Sequence, residues 1–209
     1  MKRGLNRQLV IDEAVRAIEE RGYSDLSLRD IAGRLGVKPA SLYNHVKGID
    51  DIYLGVMEEV SQRLVKHLEQ AISDKDRDTA FLDSVVAYRS FAEENRSLYD
   101  AFVNIPKGDR APYKSAMFSS FAPIRRLIKS FDHTPEDLIT AEIALISFLH
   151  GSIEMTTGRS AVLGGVTDDK MFLRIVYGFL KLLKGEGSFD LPYEEYIRHR
   201  RESRKEDAK

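Results

Sequence analysis

Apolar residues recur at intervals of three and four along most of the 209-residue chain, and this spacing is its strongest constraint on fold. It places apolar side chains on one face of a helix, whereas a half-buried strand needs apolar and polar residues in alternation. Strand-like alternation and Asn-Gly or Asp-Gly hairpin turns are missing from the sequence. The sequence therefore predicts an all-α protein, and its 43% hydrophobic content can supply a sizeable core.

Turn and capping residues set the predicted helix bounds near the N-terminus. Gly22 ends the first helix, Ser27 caps the second with Asp30 as its capping-box partner, and Gly36 ends the second. Pro39 opens the third, since proline is well tolerated at a first helical position. The approximate predicted bounds are 6–21, 27–35, 39–47, 50–68, 78–95, 113–131, 135–157 and 168–184, with shorter structure at 98–103.

Three regions are expected from this pattern. Residues 5–67 form an N-terminal unit of short helices whose fourth helix also serves as a linker, and residues 68–192 form a larger helical unit. Residues 193–209 form a charged, flexible tail without an apolar stripe. Breaks are expected at 106–112 and 158–167, which are rich in proline or glycine.

Composition excludes several classes of protein. The chain has no cysteine, which excludes disulfides, thiol catalysis and cysteine-ligated zinc and fits a cytoplasmic location. The basic N-terminus is followed by charged residues where a secretion signal would need an apolar core. The most apolar stretch, 139–155, is interrupted by Glu142, His150 and Glu154, so we expect a buried helix and no membrane span.

Charge is distributed unevenly along the chain. The formal net charge is -1, so any basic surface must be local. Residues 1–49 contain nine lysines and arginines against six acids, whereas residues 50–209 contain 23 against 27. The positive potential is therefore expected in the N-terminal region, where it favours binding to a polyanion.

Residues 27–47 are typical of two short helices joined by a tight turn. With a longer helix before them they form the tri-helical unit whose last helix enters the major groove of DNA. Leu42 and Val46 are four residues apart and share the inward face of the third helix. The residues expected to contact DNA are Arg29, Lys38, Pro39, Ala40, Ser41, Tyr43, Asn44, His45 and Lys47.

These side chains differ in what they can bind. Asn44 can pair with an adenine edge, and Ser41 can hydrogen-bond to several bases. Tyr43, His45 and Lys47 carry donors suited to phosphate oxygens. Each also has a simpler interpretation as a solvent-exposed helix residue, and for Asn44 the two interpretations are evenly balanced.

Two stretches carry a family resemblance: Leu26-Ser27-Leu28-Arg29-Asp30-Ile31-Ala32 through Leu35-Gly36-Val37, and Ser41-Leu42-Tyr43-Asn44-His45-Val46-Lys47. In order and spacing they resemble the DNA-binding domain of the TetR family, over residues 7–67. The resemblance implies a homodimeric repressor that binds palindromic operator DNA, needs no cofactor and is released by a small-molecule effector. One position departs from the pattern: Ile49 stands where many members carry a second phosphate-binding lysine, which leaves Lys47 to make that contact.

The resemblance also assigns dimerisation and ligand binding to the C-terminal helices. Leu149-His150-Gly151 followed by Glu154 is similar to the signature of the subgroup with a WHG-type C-terminal domain, although the chain has no tryptophan. The expected dimer interface comprises Ala141, Ala144, Phe148, Phe172, Val176 and Phe179. The candidate pocket residues are Tyr88, Phe91, Phe102, Phe118, Phe121, His150, Glu154 and Tyr177, although aromatic residues at helical spacing more often fill a core.

Other functions find less support in the sequence. His150 and Glu154 could ligate a metal, but two ligands on one helix are an incomplete set, and no metal site is predicted. A phosphate-cradling glycine loop, a nucleophile elbow and a catalytic triad are missing, so an enzyme is not expected. A nonspecific DNA-binding module or a protein-interaction module remains as an alternative.

Overall fold

The computed structural model describes residues 4–105, 110–157 and 169–186, and within these ranges the chain forms ten α-helices and no strand. The predicted all-α class is confirmed. The charged tail, the break at 158–167 and most of the break at 106–112 lie outside the described residues. The helices are α1 Arg7–Arg21, α2 Leu28–Leu35, α3 Pro39–Leu42, α4 Ile49–Ile72, α5 Arg77–Glu94, α6 Arg96–Asn104, α7 Arg110–Ser120, α8 Ala122–Ile128, α9 Pro135–Thr157 and α10 Asp169–Leu183.

Capping residues set the bounds of α2 where the sequence predicts them. The Ser27 side chain accepts a hydrogen bond from the backbone N–H of Asp30, and Gly36 ends α2 in the left-handed conformation at φ 67°. Any residue other than glycine would be strained in this conformation, because its Cβ would clash with the backbone. The capping box is only half formed, because the Asp30 carboxylate accepts a hydrogen bond from Arg21 of α1 instead.

Two predicted helices differ from the structure, the third by its length and the one over 113–131 by a break. The third ends at Leu42, because the N–H groups of His45 and Val46 both bond to the Leu42 carbonyl and tighten the chain into turns. The helix predicted over 113–131 is two helices, α7 and α8, with a break at Phe121. Pro123 explains the break, since its ring has no N–H to donate and would clash with the preceding turn.

Helix α4 occupies the centre of the fold. Its predicted stripe of Ile52, Val56, Val60, Leu64 and Leu68 is fully buried. The helix packs against α1 on one side and against α5 and α7 on the other. It is therefore shared by the N-terminal three-helix unit and the C-terminal helices.

Helix α9 is buried on one face only, which corrects the expectation of a buried helix. Ile139 and Ile143 are 60% and 61% exposed, while Leu145 and Leu149 are buried. In the described ranges, one segment, Pro135–Met155, is long and apolar enough to cross a membrane, and 22% of its most apolar window is buried. The partly buried Glu142 of this segment is paired with Arg125 of α8, a contact typical of a helix that packs within a protein.

Candidate DNA interface and effector groove

The third helix and the turns after it present polar side chains outward from two buried anchors. Leu42 is 0% exposed and Val46 is 2% exposed, so they hold the segment on the core as predicted. Tyr43 between them is 59% exposed. Arg29, Lys38, Pro39, Ala40, Asn44 and Lys47 are also exposed, whereas Ser41 and His45 are half-buried.

The basic residues of this unit fall into two groups. In residues 4–49 the guanidinium groups that form ion pairs with carboxylates belong to Arg7, Arg16, Arg21 and Arg34. Arg29, Lys38 and Lys47 form no direct ion pair with a carboxylate among the described residues, although Lys47 interacts with Asp51 at longer range, and all three are exposed. The structure thus leaves unpaired the three cations that the sequence assigns to DNA.

Asp51, in the first turn of α4, fixes the position of Lys47. Its carboxylate accepts a hydrogen bond from the Lys47 backbone N–H at 3.0 Å and another from Arg7 Nη2 at 2.8 Å. Partial burial of the carboxyl group opposes its ionisation, but these two hydrogen bonds outweigh that effect and lower the pKa of Asp51. Asp51 therefore joins α1, α4 and the segment that ends at Lys47.

A second carboxylate, Glu13, holds α2 on α1. It is 9% exposed and accepts a hydrogen bond from Arg34 of α2 at 2.6 Å and one from Arg16 at 2.6 Å. Arg34 also binds Glu20 at 2.7 Å. Sequence reasoning missed this network, because 21 residues separate Glu13 from Arg34 and no local pattern marks the pair.

Three of the candidate pocket residues meet in the C-terminal helices. The Tyr88 and Phe121 rings are stacked with centroids 5.1 Å apart, and His150 lies edge-on to both, at 6.1 Å and 5.9 Å. Tyr99, which sequence reasoning missed, hydrogen-bonds through its hydroxyl to His150 Nδ1 at 2.8 Å. We call Tyr88, Tyr99, Phe121 and His150 the aromatic cluster.

The Tyr88 hydroxyl lies inside this cluster without a hydrogen-bond partner among the described residues. The Tyr88 side chain is fully buried, and burial raises its pKa well above the ordinary value for tyrosine. An unpaired buried hydroxyl destabilises the fold by about 1–3 kcal/mol. The nearby Tyr99 hydroxyl interacts electrostatically with the Tyr88 hydroxyl and adds to the rise in its pKa, although the two do not meet hydrogen-bond geometry.

The other candidate pocket residues do not join the aromatic cluster. Phe91 and Phe102 are buried in the core, while Phe118 and Tyr177 are 62% and 53% exposed in separate grooves. Glu154 is exposed and pairs with Arg96 at 3.2 Å. In the described ranges no group of three or more histidine, aspartate or glutamate residues could hold a metal ion.

A groove of about 550 Å³ runs between α7, α8 and α9, and we call it the α7 groove. It leads inward to Phe121 of the aromatic cluster. Its lining residues are Lys114, Ser115, Met117, Phe118, Phe121, Arg125, Glu142 and Ile146. A second groove of about 580 Å³ lies along α10, lined by Leu82, Lys170, Leu173, Arg174, Tyr177, Gly178 and Lys181.

Half of the residues expected at a dimer interface are buried in the chain's own core. Ala141, Phe172 and Val176 are buried against neighbouring helices, and Ala144, Phe148 and Phe179 are half-buried. The three buried residues cannot also present surface to a second chain, whereas the three half-buried residues can, and their part in a dimer stays a prediction. The large apolar residues that α9 and α10 do expose are Ile139, Ile143, Met155, Met171, Leu173, Ile175 and Tyr177.

Two hydrogen bonds tie α7 to α4, and sequence reasoning missed both. The Tyr113 hydroxyl donates to the Asp50 carbonyl at 2.9 Å, and the Ser61 hydroxyl donates to the Ala116 carbonyl at 2.9 Å. Each bond joins residues more than 50 positions apart. The first reaches the α4 turn that follows Lys47, so α7 contacts the base of the DNA-facing segment.

Two family models match the chain. The model described as "Bacterial regulatory proteins, tetR family" matches residues 10–56, and "Tetracyclin repressor-like, C-terminal domain" matches residues 81–184. The first range contains the segment with Leu42 and Val46, and the second contains both grooves. The narrower WHG-type placement of the C-terminal helices stays a prediction.

Curated relatives and solved structures are similar to the chain over most of its length. An HTH-type transcriptional regulator of Mycobacterium tuberculosis is 30% identical over 82% of this chain and 78% of its own. YobS of Bacillus subtilis, also an HTH-type transcriptional regulator, is 26% identical over 71% and 77%. A Rhodococcus sp. RHA1 structure superposes with a TM-score of 0.71 at 21% identity, covering 86% of this chain and 96% of that one.

One further solved structure contains a ligand. FadR of Bacillus subtilis, a transcriptional regulator in complex with stearoyl-CoA, superposes with a TM-score of 0.61 at 16% identity. The superposition covers 87% of this chain and 99% of that one. At such identities both solved structures support the fold alone.

Proposed function

The chain belongs to the TetR family and is a transcriptional regulator with a helix-turn-helix DNA-binding unit, not an enzyme; we propose that it is a ligand-responsive repressor. On this proposal a homodimer binds a palindromic operator and a small-molecule effector releases it. One observation carries the DNA-binding role. Arg29, Lys38 and Lys47 are the lysines and arginines of residues 4–49 without an ion pair among the described residues, and they flank the exposed segment anchored by Leu42.

Each exposed side chain is proposed to have its own role at the operator. Tyr43, His45 and Lys47 bind phosphates, because they carry hydrogen-bond donors at the flanks of the anchored segment. Asn44 and Ser41 contact base edges in the major groove. Ile49 is half-buried and packs on the core, so Lys47 supplies the phosphate contact at the start of α4.

The dimer is proposed to form through the exposed faces of α9 and α10. Ile139 and Ile143 are one helical turn apart, as are Leu173 and Tyr177, so each helix presents an apolar row. Exposed apolar patches of this kind mark interaction surfaces, and two helices from each chain would make a four-helix interface. Such a dimer would place its two recognition segments about 34 Å apart in successive major grooves.

The domain organisation follows from the same proposal. Residues 5–67 form the DNA-binding head, and residues 68–192 form the body that dimerises and binds the effector. Helix α4 is the physical connection between them, because it packs on α1 and on α5 and α7. A regulator of this kind works in the cytoplasm, where its DNA target lies.

Binding to duplex DNA across a range of salt concentrations tests the proposal. We expect duplexes selected from a random pool to bind more tightly than unselected ones, by the factor of 10³ or more that is typical of specific recognition. Tyr43→Ala should weaken binding to every duplex, whereas Asn44→Ala should also change the preferred sequence. Equal affinity for all duplexes would contradict recognition of a specific operator. No binding to any duplex would contradict the role as a DNA-binding regulator.

Matched control variants separate these effects from general damage. Lys66 is an exposed lysine on α4, about 25 Å along the helix from Ile49, so Lys66→Gln should leave DNA binding unchanged. For the dimer, Ile143→Glu should convert the protein to monomer in analytical ultracentrifugation. Gln62→Glu adds the same charge to the exposed surface of α4 and should leave the dimer intact.

A further inference from the structure

We propose that the α7 groove is the effector site and that it takes an amphipathic anion, a molecule with an apolar body and a single acidic group. This inference rests on the proposed function, because only a ligand-released regulator needs an effector. It names the site, the chemistry of the ligand and the route by which binding reaches the DNA-binding head.

The groove has the size and the surface of a site for an apolar molecule. Its volume of about 550 Å³ lies within the range of about 300–1,000 Å³ typical of small-molecule pockets. Phe118 is 62% exposed at the groove, Phe121 forms its inner wall, and Met117 and Ile146 complete the apolar surface. An aromatic or aliphatic body would cover these side chains and remove them from water.

The charges around the groove add to a single positive charge. The Arg125 guanidinium lies 3.3 Å from the Phe118 ring centroid and hydrogen-bonds to Glu142 Oε1 through Nε at 2.7 Å. Glu142 therefore neutralises Arg125. Lys114 is exposed and has no carboxylate partner among the described residues. One acidic group on the ligand would complement the Lys114 ammonium.

The second groove is less suited to this role. Leu173 and Tyr177 line it, and both belong to the exposed row on α10 that we assign to the dimer. A second copy of the chain would therefore cover part of that groove. The α7 groove depends less on that surface, because six of its eight lining residues precede α9 and only Glu142 and Ile146 belong to α9, where Ile146 is one turn from Ile143.

Helix α7 connects the groove to the head. Lys114, Met117 and Phe118 follow Tyr113 directly along α7, and Tyr113 donates its hydroxyl hydrogen bond to the Asp50 carbonyl. Asp50 lies three residues after Lys47, in the first turn of α4. A ligand that shifts α7 therefore moves the point where α4 meets the DNA-facing segment.

Methyl NMR of the full chain labelled with ¹³C-methyl methionine tests the site, because the methionines are well distributed. Met117 lines the groove, Met57 is buried on α4, and Met155 and Met171 are exposed on α9 and α10. The probe is 1-anilinonaphthalene-8-sulfonate, an aromatic body with one sulfonate. N-phenyl-1-naphthylamine, which lacks the sulfonate, is the uncharged control.

We expect the sulfonate probe to shift the Met117 signal saturably, at concentrations that leave Met155 and Met171 unchanged. Lys114→Gln should weaken sulfonate binding about two- to fivefold, as for an exposed ion pair, and leave the uncharged control unaffected. Shifts confined to Met155 or Met171 would overturn the assignment. A Met117 shift on dilution without probe would overturn it as well, since a second copy would then cover the groove.

The coupling has its own measurement. The Met57 signal should move with Met117 in the wild-type protein, and Tyr113→Phe should at least halve the Met57 response while Met117 still saturates. The coupling would be overturned if the probe left the Met57 signal of the wild-type protein unchanged. It would also be overturned if the Met57 shift were equally large in wild-type protein and in Tyr113→Phe. None of these measurements needs DNA. A negative result for the effector site in the α7 groove is therefore distinguishable from a negative result for operator binding.

Discussion

Replacing Lys47 by glutamine should reduce the salt dependence of DNA binding by an amount set by the number of phosphate contacts. Each protein cation that neutralises a phosphate releases a counterion, which contributes about 0.9 to the slope of log affinity against log salt. Arg29, Lys38 and Lys47 give six such cations in a dimer. The expected slope is about -5, so affinity falls roughly 10³-fold between about 50 and 200 mM salt.

Lys47→Gln removes two of these six contacts from the dimer. The slope should become shallower by about 2, and the affinity loss over the same salt range should be roughly 10²-fold. Fluorescence anisotropy with a labelled duplex at five or more salt concentrations gives both slopes directly. An unchanged slope for Lys47→Gln, or an equal change for Lys66→Gln, would refute the assignment of Lys47 to a phosphate.

Three further predictions concern stability, each measured by urea unfolding. Leu42→Ala should lower the free energy of unfolding by about 2–5 kcal/mol, because the side chain is fully buried, and a loss below about 1 kcal/mol would contradict its role as an anchor. Tyr88→Phe should leave stability unchanged or raise it by up to about 1–3 kcal/mol, since it removes an unpaired buried hydroxyl; marked destabilisation would reveal a partner. Asp51→Asn should cost roughly 1 kcal/mol at neutral pH, a modest value because Arg7 is partly exposed. The pKa of Asp51 in the folded protein lies below the ordinary 3.8, so the difference in free energy of unfolding between the wild type and Asp51→Asn should be full above pH 3.8 and vanish as the pH falls through the folded pKa. A difference that persists in acid would contradict the ion pair.

The DNA-facing segment could be predicted from sequence because its determinants are local. Ser27, Gly36 and Pro39 act within a few residues of their own positions, and the four-residue spacing of Leu42 and Val46 defines the buried face. The same locality explains the errors. The predicted third helix runs past Leu42, and the prediction over 113–131 lacks the break at Phe121, because apolar spacing alone does not show where turns interrupt the backbone hydrogen bonds.

The C-terminal sites were less predictable, because they depend on contacts between distant helices. Phe172 and Val176 form a clear apolar row on α10, but sequence spacing cannot show whether that row faces the chain's own core or a second copy. The structure shows that they face the core. Tyr99 and His150 are 51 positions apart, so their hydrogen bond had no local signal.

The two bonds between α7 and α4 determine how α4 can move. Asp50 and Ser61 are 11 positions apart, about 16 Å along the helix, so α7 holds the first half of α4 at two points. A shift of α7 must therefore carry that half as a unit, and any pivot lies beyond Ser61, where α4 packs on α5. A tilt of about 6° about such a pivot would move the Lys47 end by about 2 Å, enough to misplace donors that must lie within about 3 Å of their phosphates. Tyr113→Phe removes the Tyr113 hydroxyl and leaves the bond between Ser61 and α7 in place, so it should weaken the shift of the Met57 signal on α4 when the probe binds. Only the double variant with Ser61→Ala should abolish that shift.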